Sequence, residues 1–105
     1  MNQPDVALSR GVQVCSLYVG SRDGGAFPEE DRQVVTNTVA ACFDCFTIID
    51  AGGHYQGCSV ATFIVKIATE DKPLLLKVIR GLGHLLEQQA VGLEIAGRYM
   101  SISMD

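Results

Sequence analysis

The sequence predicts an α+β domain: a ferredoxin-like βαββαβ sandwich, with a four-stranded antiparallel sheet carrying two helices on one face. Three observations predict it. Apolar residues alternate in four separate runs, two intervening segments repeat at helical spacing, and 105 residues suffice for one core but not two. The chain is also rich in apolar residues (48%) and poor in charged ones (19%, against about 25% on average), a balance that excludes intrinsic disorder.

Residues 1–10 read as a flexible N-terminal arm and 11–105 as the domain. From Val12 to Val19 the text alternates with β-branched and aromatic content, a strand signal. Ser21-Arg22-Asp23-Gly24-Gly25 breaks it. Pro28 followed by Glu29, Glu30 and Asp31 opens a helix, because proline is tolerated in the first turn and acids suit the positive end of the dipole. Val35, Val39, Cys42 and Phe43 supply its apolar face. A second strand follows over 46–51, then a turn-rich loop from Gly52 to Gly57, then a third strand from Ser59 to Ala68.

Glu70-Asp71-Lys72-Pro73 opens the second helix. Its Leu75, Ile79, Leu82, Leu86 stripe, spaced by four, three and four, is the strongest helical signal in the chain. Gly81 and Gly83 weaken that helix by about 1 kcal/mol each relative to alanine, or else allow close packing on a sheet. Residues 90–95 form the fourth strand, and 98–103 are a candidate short fifth.

In such a sandwich the sheet face without helices is expected to be polar. Here Val14, Tyr18, Val60 and Ile64 fall on that face, and Lys66 is the one charge of the third strand there. The pattern predicts a homo-oligomer that packs open sheet faces together; the alternative is an unusually apolar exposed sheet.

The net charge of −4 comes from 8 basic and 12 acidic residues, and the basic ones are scattered singly. Phosphate neutralisation needs clustered cations, so nucleic acid is excluded as a partner. No apolar run approaches the ~18 residues of a membrane span. The N-terminal residues, with Pro4, Asp5 and Ser9, hold no run of signal-peptide length, so a cytoplasmic protein without membrane contact is expected. Cys15, Cys42, Cys45 and Cys58 then read as reduced, structural thiols. Cys42-Phe-Asp-Cys45 is formally a CxxC, but it falls at the far end of a helix, not at the N-terminus where the dipole lowers a thiol pKa. A zinc site wants a second close pair, and neither HxxxH, HExxH nor an acidic cluster suggests a metal. No cofactor is expected.

Two segments are candidates for ligand contact. The 21–25 turn offers backbone amides with Ser21 and Arg22 to an anion or carboxylate, or is a plain connection. The second segment combines glycines that permit close backbone approach, Gly53 among them, with His54, Tyr55 and Gln56, a donor/acceptor, a ring and an amide. A polar hairpin is the alternative there. Gln88-Gln89 either caps the second helix or lines a cleft, and His84 reads as a helix-flank histidine. No nucleophile or carboxylate stands at a telling spacing from His54, so no hydrolytic triad is visible.

Leu17-Tyr18-x-Gly20, Gly24-Gly25 and Phe46-Thr47-Ile48-x-Asp50-Ala51-x-Gly53-His54-Tyr55 resemble a bacterial and phage family of PII-like, ferredoxin-fold proteins. The wider pattern Gly53-His54-Tyr55 … Thr62 … Glu87-Gln88-Gln89-Ala90-Val91 is similar to phage S-adenosylmethionine lyases. That resemblance implies trimers that bind substrate between subunits, with Tyr55 as the binding-site tyrosine. It also implies a glutamate, two residues before Thr62, that holds the substrate's amino group; Val60 stands there instead. The expected function is an oligomeric protein binding an adenosyl or nucleotide-type small molecule between subunits, with S-adenosylmethionine-lyase activity. The alternative is a non-enzymatic ligand sponge, sensor or inhibitor acting on a host protein.

Overall fold

A computed structural model describes residues 12–21 and 25–105. The expected arm at 1–10, Arg22 and the side chain of Tyr55 lie outside the described residues. Seven elements follow one another: β1 (Gln13–Gly20), α1 (Glu29–Ala40), β2 (Thr47–Tyr55), β3 (Cys58–Thr69), α2 (Lys72–Leu85), β4 (Ala90–Ile95) and β5 (Arg98–Ser103). The sheet is antiparallel throughout, in the order β2-β3-β1-β4-β5. It has five strands where four were expected. The candidate at 98–103 pairs with β4 along its whole length, because Ala96 and Gly97 both adopt positive φ (+54° and +79°) and close a tight two-residue hairpin.

The helix signals translate directly into termini. Pro28 stands before α1 with extended backbone, and Glu29, Glu30 and Asp31 fill the first turn. Asp71 caps α2 by accepting from the Leu74 N–H at 3.0 Å, with Pro73 in the first turn. The far end of α2 closes as a Schellman motif: Glu87 takes a left-handed φ of +55°, its N–H reaches the His84 carbonyl, and the Gln88 N–H reaches that of Gly83.

One core lies between both helices and one face of the sheet. Cys15, Leu17 and Val19 of β1, Phe63, Val65 and Ile67 of β3, and Val91 and Leu93 of β4 meet Val35 and Val39 of α1 and the whole Leu75, Ile79, Leu82, Leu86 stripe. The glycines of α2 serve contacts other than the expected one with the sheet. A Cβ on Gly81 would lie 3.3 Å from Thr38 of α1, and one on Gly83 would overlap Met104 near the C-terminus.

The segment from Gly52 to Gly57, expected as a loop, is mostly strand. β2 runs to Tyr55, and the turn is confined to Gln56 and Gly57, both with positive φ (+52° and +82°). The glycines misled because they are usual strand breakers; here pairing with Ala61 and Val60 carries the strand through them, and nothing comes within 4 Å of a Cβ on Gly52. β1 ends opposite Thr62, whereas β2 and β3 stay paired out to Tyr55 and Cys58. The last four residue pairs therefore form a two-stranded ribbon that overhangs the sheet by about 13 Å.

The face without helices is partly as expected. Val14 is 61% exposed, Tyr99 65% and Ile49 37%, while Val60, Ile64 and Tyr18 are half-buried. A polar row crosses it, however. Lys66, Ser16 and Glu94 lie side by side on β3, β1 and β4, so a carboxylate joins the expected lysine.

Candidate functional site

The residues expected to touch a ligand fall at the end of β1 and along the overhanging ribbon, which meet where Ser21 bonds to Ala61, the partner of Gly52. Ser21 extends β1 by one residue, its N–H donating to the Ala61 carbonyl at 3.0 Å. Its hydroxyl is buried and finds no hydrogen-bond partner among the described residues. Gln88 reaches the same end of β1, since a Cβ on Gly20 would lie 3.8 Å from its Oε1. The Gln88 amide donates to the Leu86 carbonyl at 3.1 Å, so this side chain caps the end of α2 and leaves its oxygen facing β1.

Gly53, His54 and Gln56 lie out along the ribbon. Gly53 lies close to the start of β3: a Cβ there would be 3.3 Å from Thr62 Oγ1 and 3.7 Å from Val60 Cγ2. The exposed His54 Nε2 is 3.5 Å from Ser59 Oγ, at the outer limit of hydrogen bonding and too long for an activated nucleophile. Gln56 occupies the hairpin turn, and the Tyr55 backbone pairs with Cys58.

A third place went unnoticed in the sequence. Between the start of α1 and strands β2 and β3 lies a cleft of about 230 Å3 lined by Phe27, Arg32, Asp50, Ala61, Thr62 and Phe63, among others. Phe27 stacks on Phe63 with ring centroids 3.7 Å apart and planes 15° from parallel. The Arg32 guanidinium carbon sits 5.0 Å from the Phe63 ring centre, within range of a cation–π contact. Nη2 of Arg32 donates to Asp50 Oδ2 at 2.5 Å, and its Nε lies 3.9 Å from Glu29 Oε1. The hydrogen bond to Asp50 raises the Arg32 pKa above its ordinary value, so this cation is fixed at every physiological pH. Asp50 pairs in register with Phe63, which is how a strand carboxylate reaches a helix cation. The available signal was Asp50 itself, the carboxylate within the Phe46 to Tyr55 stretch. Only the register shows that it meets Arg32.

Such a cleft can hold and orient a ligand by charge and an aromatic wall, but it offers no acid/base pair. Among the described residues no cluster of three or more His, Cys, Asp or Glu could hold a metal. The four cysteines are free thiols: Cys15 is buried, Cys42 half-buried, and Cys45 and Cys58 exposed. Burial raises the Cys15 pKa, which keeps that thiol protonated and unreactive. No described helix is long and apolar enough to cross a membrane.

Comparison with known proteins places this geometry. No protein-family model and no curated protein matches the chain. Two solved chains match over nearly their full length. One is a phage SAM lyase in complex with S-methyl-5′-thioadenosine, with a TM-score of 0.65 and 16% identity, covering 89% of this chain and 90% of that one. The other is a phage SAM lyase in the apo state, with a TM-score of 0.59 and 19% identity, covering 98% and 94%. The resemblance to phage S-adenosylmethionine lyases is thus matched in the fold: the chain has the fold of these solved lyases.

Proposed function

We propose that the protein is an oligomer that binds an adenosyl-type small molecule between subunits and cleaves S-adenosylmethionine as a lyase. Its frame is read as ferredoxin-like, with β5 added at one edge. The observation that carries the proposal is the fold match, over 89% of the chain, to a lyase holding S-methyl-5′-thioadenosine. That molecule is what remains when S-adenosylmethionine loses its four-carbon amino-acid arm. In the cleavage the substrate's own carboxylate oxygen attacks the γ-carbon, the bond from that carbon to sulfonium breaks, and its electron pair stays on sulfur. The products are methylthioadenosine and homoserine lactone, and no proton moves. Such a reaction needs the substrate held folded more than it needs an acid and a base. Candidate residues without a nucleophile–base pair suit that demand.

The candidates stand at one end of the sheet and along its ribbon, an arrangement open to a neighbouring subunit. Ser21 and Gln88 stand at the end of the sheet, while His54 and Gln56 stand out on the ribbon, with the Tyr55 backbone beside them. A neighbouring copy that lends its ribbon completes one site from two chains. Trimeric assembly and a cytoplasmic setting belong to the same reading.

Incubation with S-adenosylmethionine tests it, read by chromatography of the products. Release of methylthioadenosine and homoserine lactone is the expected result. Binding heat without product favours the second reading, a non-enzymatic sponge, sensor or inhibitor. That reading draws on one observation: Val60 stands where the resemblance puts the amino-group anchor. Neither heat nor product refutes both.

A further inference from the structure

Asp50 is held by one of its two carboxylate oxygens. The Arg32 guanidinium takes Oδ2, and Oδ1 meets no partner among the described residues. The side chain is 59% exposed and lines the cleft of about 230 Å3 between α1 and the β2–β3 pair. Register sets what surrounds it. Asp50 pairs with Phe63 and Gly52 with Ala61, while Ser21 bonds to Ala61 from the other side. Alternation along each strand puts Asp50, Gly52, Ala61, Phe63 and Ser21 on the face that carries the helices. Between Asp50 and Ser21 the floor is therefore a bare glycine and a methyl, and nothing comes within 4 Å of a Cβ on Gly52. Phe27, stacked on Phe63, walls one side. At the inner end the Ser21 hydroxyl is buried without a partner among the described residues.

The cleft is smaller than the roughly 300–1,000 Å3 of a site that encloses a whole ligand. It suits one arm of a ligand whose remainder lies outside. The free acceptor is an anion, so the arm it favours carries a cation with hydrogen-bond donors. An ammonium meets both demands; a sulfonium has the charge but no donor. The cleavage chemistry makes the same choice. As the bond to sulfur breaks, the carboxylate and the sulfonium both lose their charge, whereas the ammonium keeps its own. An anion fixed on the sulfonium, or a free cation on the attacking carboxylate, would stabilise the substrate more than the transition state. Asp50 on the ammonium avoids the first, and Arg32, already paired with Asp50, avoids the second.

We propose that Asp50 holds the amino group of the ligand's amino-acid arm, a role for which Val60 has no polar group. The inference rests on the lyase reading above and names the residue that fixes the arm. Val60 pairs with Gly53, on the opposite face of β3 from Phe63, so the arm enters from the helix side, over Gly52. Arg32 steadies the carboxylate through its other oxygen.

Calorimetric titration with two probes tests it. S-adenosylhomocysteine keeps the arm but has no sulfonium to leave, and methylthioadenosine has no arm. Asp50→Asn weakens S-adenosylhomocysteine about 10-fold, the loss of a hydrogen bond between charged groups, and leaves methylthioadenosine within about twofold. The S-adenosylhomocysteine analogue with hydrogen in place of the amino group binds the wild-type chain about 10-fold more weakly, and Asp50→Asn weakens it no further. Circular dichroism checks that the variant folds; if it does not, Asp50→Ser replaces it. Equal weakening of both probes, no weakening of either, or a further loss with the amino-less analogue overturns the contact and leaves the lyase reading standing. A wild-type chain that binds neither probe and releases no product overturns both.

Discussion

Gly83 sits on α2 where the C-terminal residues cross it, and replacing it by alanine tests how the end of the chain is held. A Cβ at that position would overlap Met104 Sδ and lie 2.8 Å from its Cγ and 2.9 Å from its Cε. The Met104 side chain must then leave, although its N–H stays on the Gln89 carbonyl at 3.0 Å. Two effects compete. Alanine stabilises a helix interior by about 1 kcal/mol over glycine. Losing a buried methionine costs about 1.5–3 kcal/mol, and Met104, partly buried against the core, gives up a good share of that. Eviction wins, so Gly83→Ala destabilises by about 1 kcal/mol. In a Met104→Ala background the obstacle is gone, and the same substitution stabilises by about 1 kcal/mol. The sign reverses, with a coupling of about 2 kcal/mol. Urea unfolding of the four proteins at one fixed protein concentration measures it. If Gly83→Ala stabilises the wild-type chain, Met104 does not pack on α2 and the reasoning fails.

Two further predictions concern side chains outside the core helices. At the cleft, Phe27→Ala costs about 1–2 kcal/mol, a share of the ~1.5–3 kcal/mol of a fully buried ring, because the half-buried Phe27 stacks face to face on the buried Phe63. Asp50→Asn costs far less, since the pair it makes with Arg32 is open to solvent; equal losses in urea unfolding would show that the ion pair holds the cleft. On the open face, the hydrogen bond to Glu94 raises the Tyr18 pKa above its ordinary value of 10, with burial adding to the shift. A phenol raised in the folded state contributes stability that is complete below pH 10 and is lost as pH rises through the raised value. In Glu94→Gln the midpoint of Tyr18 moves down toward 10, measured by ultraviolet absorbance or NMR. An unchanged midpoint would mean that the bond is absent in solution.

Several elements could be read from the chain because their signals are local. The Leu75, Ile79, Leu82, Leu86 stripe is buried in full, since a 3.6-residue period on 14 helical residues leaves one face for the core. The alternation of β1 assigned Cys15, Leu17 and Val19 to one face correctly for the same reason. What stayed hidden depends on register between strands distant in sequence. Glu94 is an ordinary acid in β4 until pairing sets it beside Ser16, and Asp50 is one of the acids in β2 and its neighbourhood until pairing sets it on Phe63. Gly52 and Gly53 failed in the opposite direction. Their propensity says break, but pairing with Ala61 and Val60 carries the strand through them.

The overhang of β2 and β3 divides the stability of the sheet into two zones. From Thr62 to Lys66, β3 is bonded on both sides and backed by helices, so it opens only when the domain does. From Cys58 to Ala61 it has β2 on one side and, on the other, the single backbone bond from Ser21 to Ala61. An isolated hairpin is marginal in water, so this segment bends, twists and opens on its own without drawing on the core. The residues around His54 are thus carried on a compliant arm, while Ser21 and Gln88 are anchored to a rigid frame. Whatever seats against the arm selects its shape, and that shape then reports on the seating.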